Sequence, residues 1–225
     1  MKRISSIIVL ILFVATAIAQ NTEERTLKHF TKIKAYGPVN ITLHKSDRER
    51  VKVRAEGMET HDVRTEVSGL TLRIKLKGDI FEEKTVNVDL YYTELSELFV
   101  AAGADISSAE PLDGKNLTLH ANSGAIMELE FASGSIDVNV SEGAIAELLG
   151  GVEYMEARVA TGGILKGYNL AADNVAVRAN TGGVAKVEAD KSLEIHSFLG
   201  GVVHYRGNPE ELSTDVTVGG VIRKD

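Results

Sequence analysis

The chain has 225 residues and a formal net charge of −7, so its surface offers no electrostatic footing for nucleic acid or for anionic membranes. It contains no cysteine, which excludes disulfides, cysteine-ligated zinc, thiol nucleophiles and a cysteine-borne lipid anchor together. Twenty-one glycines, three prolines and no tryptophan describe a β composition with many tight corners.

The chain opens on MKRISSIIVLILFVATAIAQ. Lys2 and Arg3 precede an apolar run over residues 7–14, and Ala17, Ile18 and Ala19 make a small-x-small site before Gln20. This is the pattern of a secretory signal peptide over residues 1–19, cleaved between Ala19 and Gln20 and too short for a spanning helix. Cleavage leaves 206 residues and, with two basic residues gone, a net charge of −9. That length is enough to bury a core without disulfides.

Residues 20–95 are rich in alternating apolar and polar stretches but have no fixed rhythm. VNITLH (39–44), RVKVRAEG (50–57), LTLRIKLKG (70–78) and TVNVDLYY (85–92) predict strands, separated by polar turns such as HKSDRER. Their expected role is a β cap on the first coils of the region that follows, whose open end must be covered.

Residues 96–225 carry a repeat. Gly124, Gly143, Gly162, Gly182, Gly200 and Gly219 follow one another at steps of 19, 19, 20, 18 and 19 residues. Seven positions before each glycine stand Leu117, Ile136, Met155, Val175, Leu193 and Leu212. Five before are Leu119, Val138, Ala157, Val177, Ile195 and Thr214, and four before, every residue is polar, from His120 to Asp215. Such period-two alternation predicts a strand with one buried face before each glycine. Two positions after the glycine come Ile126, Ile145, Ile164, Val184, Val202 and Val221, followed by Met127, Ala146, Leu165, Ala185, Val203 and Ile222. Both columns are expected to point inward around a bend, the β-branched one as the core ladder. Leu98, Val100, Gly103 and Ile106 form a seventh, degenerate rung. A 19-residue unit has the length of one coil of a single-stranded parallel β-helix, a β-solenoid with coils stacked at about 4.8 Å. The competing antiparallel β-sandwich explains the alternation but not the constant spacing.

Side chains with chemical potential are few. His120 and His196 share a column but stand four coils apart, about 19 Å, too far to share a metal ion. The repeat brings Asp137 and Glu156 onto adjacent coils, with Arg158 and Arg178 two residues along the same face. Two acids and two bases on one wall suit a polysaccharide lyase or hydrolase, or else a solvated face of offsetting charges. The T-G-G corners lack the lysine and helix of a phosphate loop, and no serine lies in a nucleophile elbow. No catalytic residue, cofactor site or metal site is assigned. Tyr91, Tyr92, Tyr154, Tyr168 and Tyr205 are the candidates for an aromatic sugar platform, each also explained by packing.

The stretch LKHFTKIKAYGPVNITLHKSDRERVKVRAEG (27–57) follows the plan F-x-x-I-x-x-x-G-x-V-x-I-x-L through Phe30, Ile33, Gly37, Val39, Ile41 and Leu43. It then runs into Val51, Val53, Ala55 and Gly57. With the glycine-pair coils behind it, this resembles the head GIN domain family of auto-transporter adhesins, common in exported proteins of Bacteroidetes-type bacteria. The resemblance implies a right-handed β-helix outside the cytoplasm, periplasmic or associated with the cell surface. The function expected is an exported, non-catalytic, adhesin-like module of the cell envelope, with an envelope glycan or a surface protein as partner. A carbohydrate-active β-helix enzyme and a scaffold self-assembling through its coil ends are the alternatives.

Overall fold

A computed structural model describes residues 21–78 and 85–225; the leader and its cleavage site between Ala19 and Gln20 lie outside the described residues. The described chain is an all-β solenoid of about seven turns with coils of roughly 19 residues. Seven strands come before the repeat: β1 (Asn21–Thr26), β2 (Lys32–Tyr36), β3 (Asn40–Lys45), β4 (Arg50–Glu56), β5 (Val63–Ser68), β6 (Thr71–Leu76) and β7 (Thr85–Tyr92). The repeat comprises β8 (Glu97–Ala101), β9 (Asp105–Ser108), β10 (Asn116–Ala121), β11 (Ile126–Val140), β12 (Ile145–Val159) and β13 (Ile164–Ala179). It continues with β14 (Val184–Glu188), β15 (Ser192–Ser197), β16 (Val202–Arg206), β17 (Glu211–Val216) and β18 (Val221–Lys224).

Strands of successive coils pair in parallel and in register. Leu117 lies beside Ile136, then Met155, Val175, Leu193 and Leu212, so one column of the sequence becomes one ladder in space. The long strands β11, β12 and β13 each pass from one sheet of the solenoid to the other, their first halves pairing in one ladder and their second halves in the next. The glycine columns mark the opposite corner. Among the described residues, Ala102, Ser123, Glu142, Thr161, Thr181, Leu199 and Val218 have positive φ, and each precedes a glycine that is also left-handed. Two consecutive left-handed residues make a type I′ turn. Its closing bond runs from Ala125 N to Asn122 O, 3.1 Å, and from Gly183 N to Asn180 O, 2.8 Å, and recurs at the other corners. The turns also bond to one another, Gly124 N donating to Glu142 O and Gly143 N to Thr161 O.

Inside, the cross-section narrows toward the turn. Ala121 and Ala125 flank it, Leu119 and Met127 come next, and Leu117, Leu129 and Phe131 fill the wide end, all buried. A Cβ on Gly201 would come within 2.1 Å of Ala179 O, and one on Gly183 within 2.3 Å of Val159 O. Only the smallest residues therefore fit directly after the turn.

This narrow end corrects the sequence reading. Ile126, Ile145, Ile164, Val184, Val202 and Val221 point outward and are half-buried, while Met127, Ala146, Leu165, Ala185 and Val203 are buried. The inward residue preceding the β-branched column is Ala125, Ala144, Gly163, Gly183 or Gly201, also buried. Strict alternation thus resumes at once after the turn, and no pair of successive inward residues exists there.

At the N-terminal end, β2 and β3 stack in parallel on β8 and β9, with Ile33 beside Leu98 and Ile41 beside Ile106. On their other side lie β6 and β7, again parallel, with Ile33 beside Leu72 and Ile41 beside Val88. Beyond these the pairing turns antiparallel: β5 on β6, β4 on β7 and β1 on β4. One continuous core runs from Phe30 to Tyr205.

Candidate functional site

The outward columns of the sheet containing β10, β15 and the second halves of β11 to β13 hold the four residues expected to form a wall. Register places Asp137 beside Glu156, and Asn139 beside Arg158 and then Arg178. The side chains do meet. Arg158 contacts Glu156 directly and reaches Asp137 at 3.4 Å, while Arg178 lies 3.5 Å from Glu156. Asn139 Nδ2 donates to Asp137 at 2.9 Å. All four side chains are between 41% and 46% exposed, so each pair contributes on the order of 0–1 kcal/mol.

The wall is part of a longer ladder. At one end Lys32 and Lys34 pair with Glu97 at 2.8 and 4.0 Å, and Lys32 in particular holds the Glu97 carboxyl below its usual range. At the other, His196 bonds Glu194 at 2.7 Å and Asp215 at 3.3 Å; hydrogen bonding to Glu194, then to Asp215, raises its pKa. Glu97, Asp137, Glu156, Glu194 and Asp215 along this face each have a basic side chain beside them.

A recess of about 560 Å³ lies where the cap meets the coils. It exists because the loop between β9 and β10 is long: Gly103 and Gly124 are 21 residues apart, against 18 to 20 at the other steps, and the extra length contains Pro111 and Gly114. A Cβ on Gly114 would come within 3.0 Å of Leu117 Cγ and 3.3 Å of Leu95 O, so glycine lets this loop fold down against the coil. Leu95, Leu112 and Leu117 form the apolar floor. Tyr92 lines one side; burial, with Asp113 and then Glu110 nearby, pushes its phenol up to about 12, so it remains a proton donor. On the rim, Lys45 pairs with Asp113 at 2.6 Å, whereas Glu94 and Lys115 are exposed and have no side-chain partner among the described residues.

The recess shares Asn116 and Leu117 with a shallower groove of about 240 Å³ along the same outer face. Thr118, Ser135, Ile136, Asp137, Tyr154 and Glu156 complete that groove, and Tyr154 is 57% exposed. Other aromatic candidates are covered: Arg50 stacks 3.8 Å over Tyr91, and Arg206 4.0 Å over Tyr168. Tyr205 is buried. The column arithmetic therefore finds the wall, but the recess escapes it. The one sequence signal for the recess is the 21-residue step.

Among the described residues no helix is long and apolar enough to cross a membrane. None of the curated proteins matches the chain. Crystal structures of similar shape do exist. One, of a protein described as a putative adhesin from Bacteroides fragilis, is 17% identical, covers 91% of this chain and 96% of its own, and gives a TM-score of 0.80. A second putative adhesin, from Parabacteroides merdae, is also 17% identical with coverages of 91% and 95% and a TM-score of 0.70. A third, described as a putative lipid binding protein from Parabacteroides distasonis, is 21% identical with coverages of 91% and 97% and a TM-score of 0.68. These likenesses show the fold. Residues 29–209 match the family described as "Putative auto-transporter adhesin, head GIN domain", and the chain belongs to that family.

Proposed function

We propose that the chain is an exported, non-catalytic binding module of the cell envelope, and that it holds an envelope glycan in the recess and along the adjoining groove. The observation that carries this reading is their continuity: an apolar floor, with Glu94 and Lys115 unpaired among the described residues on its rim, runs through Asn116 and Leu117 to the exposed ring of Tyr154. Ligand seats commonly combine an apolar lining with a few placed polar groups, in volumes of about 300–1,000 Å³. A sugar ring presents one C–H face and a hydroxyl rim, which matches that combination. The leader and the adhesin family support export. Asp137 and Glu156 are half exposed and paired with guanidinium groups, the arrangement of a solvated charged face.

The neighbour described as lipid binding, together with the leucine floor, supports a second ligand class, an acyl chain. Both are tested by titrating the chain without its leader against envelope glycans and phospholipid vesicles while products are monitored. Saturable glycan binding without turnover is expected. Lys115→Glu and Tyr154→Ala should each weaken it roughly tenfold, about 1.4 kcal/mol, while Arg178→Ala leaves it unchanged. Vesicle binding in place of glycan binding selects the acyl chain, and glycan turnover overturns the non-catalytic reading.

A further inference from the structure

The two ends of the solenoid are built differently, and the C-terminal one is bare. β17 pairs only with β15, and β18 only with β16; the far edge of each strand has no partner among the described residues. Their inward columns are uncovered as well. Leu212 is 49% exposed where Leu193, one coil earlier, is 1%, and Val216 is 49% exposed where Ser197 is 1%. An uncovered parallel edge with Leu212, Val216 and Ile222 inward, beside Thr214 and Lys224, is a template for another strand.

The N-terminal end offers no open parallel rung to that strand. Its last parallel rung, β6 and β7, is already covered by the antiparallel strands β5 and β4, with β1 outside β4. Arg25 on β1 donates to the carbonyls of Thr60 and Val63 at 2.7 and 2.6 Å, occupying backbone acceptors there. Head-to-tail stacking would set this bare parallel coil against an end whose outer strands, β5 and β1, are antiparallel, so the two surfaces are unlike. A two-fold contact needs only a surface that complements itself.

The bare coil has that property. Its inward residues Leu212, Thr214 and Val216 are symmetric in character about Thr214. In the facing strand, Ile222 lies at the level of Thr214, counting inward residues outward from the turn closed by Gly220 N and Thr217 O. We infer that two copies of this chain join through their last coils as a two-fold dimer, strand against antiparallel strand on both sheets. Leu212 then lies against the partner's Val216, and Thr214 against the partner's Thr214. On the other sheet, Ile222 lies against the partner's Ile222. Outside, Ser213 meets the partner's Asp215 and Val221 the partner's Arg223; inside, Lys224 meets the partner's Gly220, so no like charges oppose each other directly. The two glycan tracks stay free, because the recess and groove lie several coils away.

The absence of cysteine makes the test clean. Residues directly opposite in antiparallel strands have Cα atoms about 4.5–5.5 Å apart, within disulfide reach of about 4.4–6.8 Å. Thr214→Cys and Ile222→Cys should each oxidise to a covalent dimer, at least tenfold faster than Leu70→Cys, which puts an exposed thiol on the N-terminal region. Sedimentation of the unmodified chain should give the dimer mass, and Val216→Lys a monomer with unchanged circular dichroism. Cross-linking no faster than the Leu70→Cys control, a monomer at all concentrations, a ladder of larger species, or a Val216→Lys dimer each overturns the inference.

Discussion

The two ends of this molecule handle the same hazard in opposite ways. A parallel ladder always ends on unpaired backbone groups. At the N-terminal end, the rung of β6 and β7 is covered by antiparallel strands, and Arg25 occupies two further carbonyls. At the C-terminal end, β17 is exposed along its whole length. Covering an edge takes strands that leave the rhythm of the coils and cross back over them. The repeat cannot cap itself, because a further coil only reproduces the edge it covers.

The largest expected effect breaks this comparison along a single column. Val159 and Val216 occupy equivalent positions before their turns, but Val159 is fully buried and Val216 is half exposed. Val159→Asp should lower the unfolding free energy from urea titration by more than the roughly 1.5–3 kcal/mol of lost valine burial, because a charge enters the dry core as well. Val216→Asp should stay within about 0.5 kcal/mol for the monomer. Equal losses from the two variants mean that the last coil is packed like the others.

A second pair tests the register. Ala185 is buried while Val184 faces outward, half covered by its neighbours. Ala185→Asp should therefore destabilise by several kcal/mol more than Val184→Asp, despite removing the smaller side chain. Thermal melts in the opposite order would restore the β-branched column to the core.

The smallest effect separates the ends by pH. Hydrogen bonding to Arg25, and then to Thr60, lowers the Glu23 pKa to about 2. A depressed carboxyl contributes stability above its ordinary value and loses it as pH falls toward about 2. His196, in the penultimate coil, is raised by Glu194 and Asp215, so its contribution is full below the ordinary histidine value and disappears as pH rises through the raised one. Hydrogen exchange should show β1 loosening in acid and the strands around β15 loosening toward alkaline pH. Arg25→Ala should cost about 1–3 kcal/mol and abolish the Glu23-dependent part of the acid effect only.

Much of this architecture is legible in the glycine spacing alone. In a parallel ladder residues a constant distance apart in sequence become neighbours, so column arithmetic is contact prediction. It puts Leu117 beside Ile136 and brings Asp137, Glu156, Arg158 and Arg178 together. It fails after the turn, where the inward residue is a glycine or alanine too small to register as apolar, and the conspicuous Ile126 and Val184 look like core. It fails again in the first seven strands. There Ile33 lies beside Leu98, 65 positions away, and beside Leu72, with β6 and β7 placed outside strands that precede them in the chain. No constant step encodes such an order. That the four wall residues neutralise one another depends on where flexible side chains come to rest, which spacing does not determine.

The stacked turns have a mechanical consequence when the chain is put under tension. Tension along the solenoid axis loads all the bonds between two coils at once, since they lie parallel to the pull. Tension applied through the C-terminal strand instead peels β18 and then β17, a few bonds at a time. Each released coil of about 19 residues lengthens the chain by roughly 60–70 Å and leaves the next coil as exposed as the last. The molecule is a spool that pays out evenly from one side, and joining two copies at that side locks the spool.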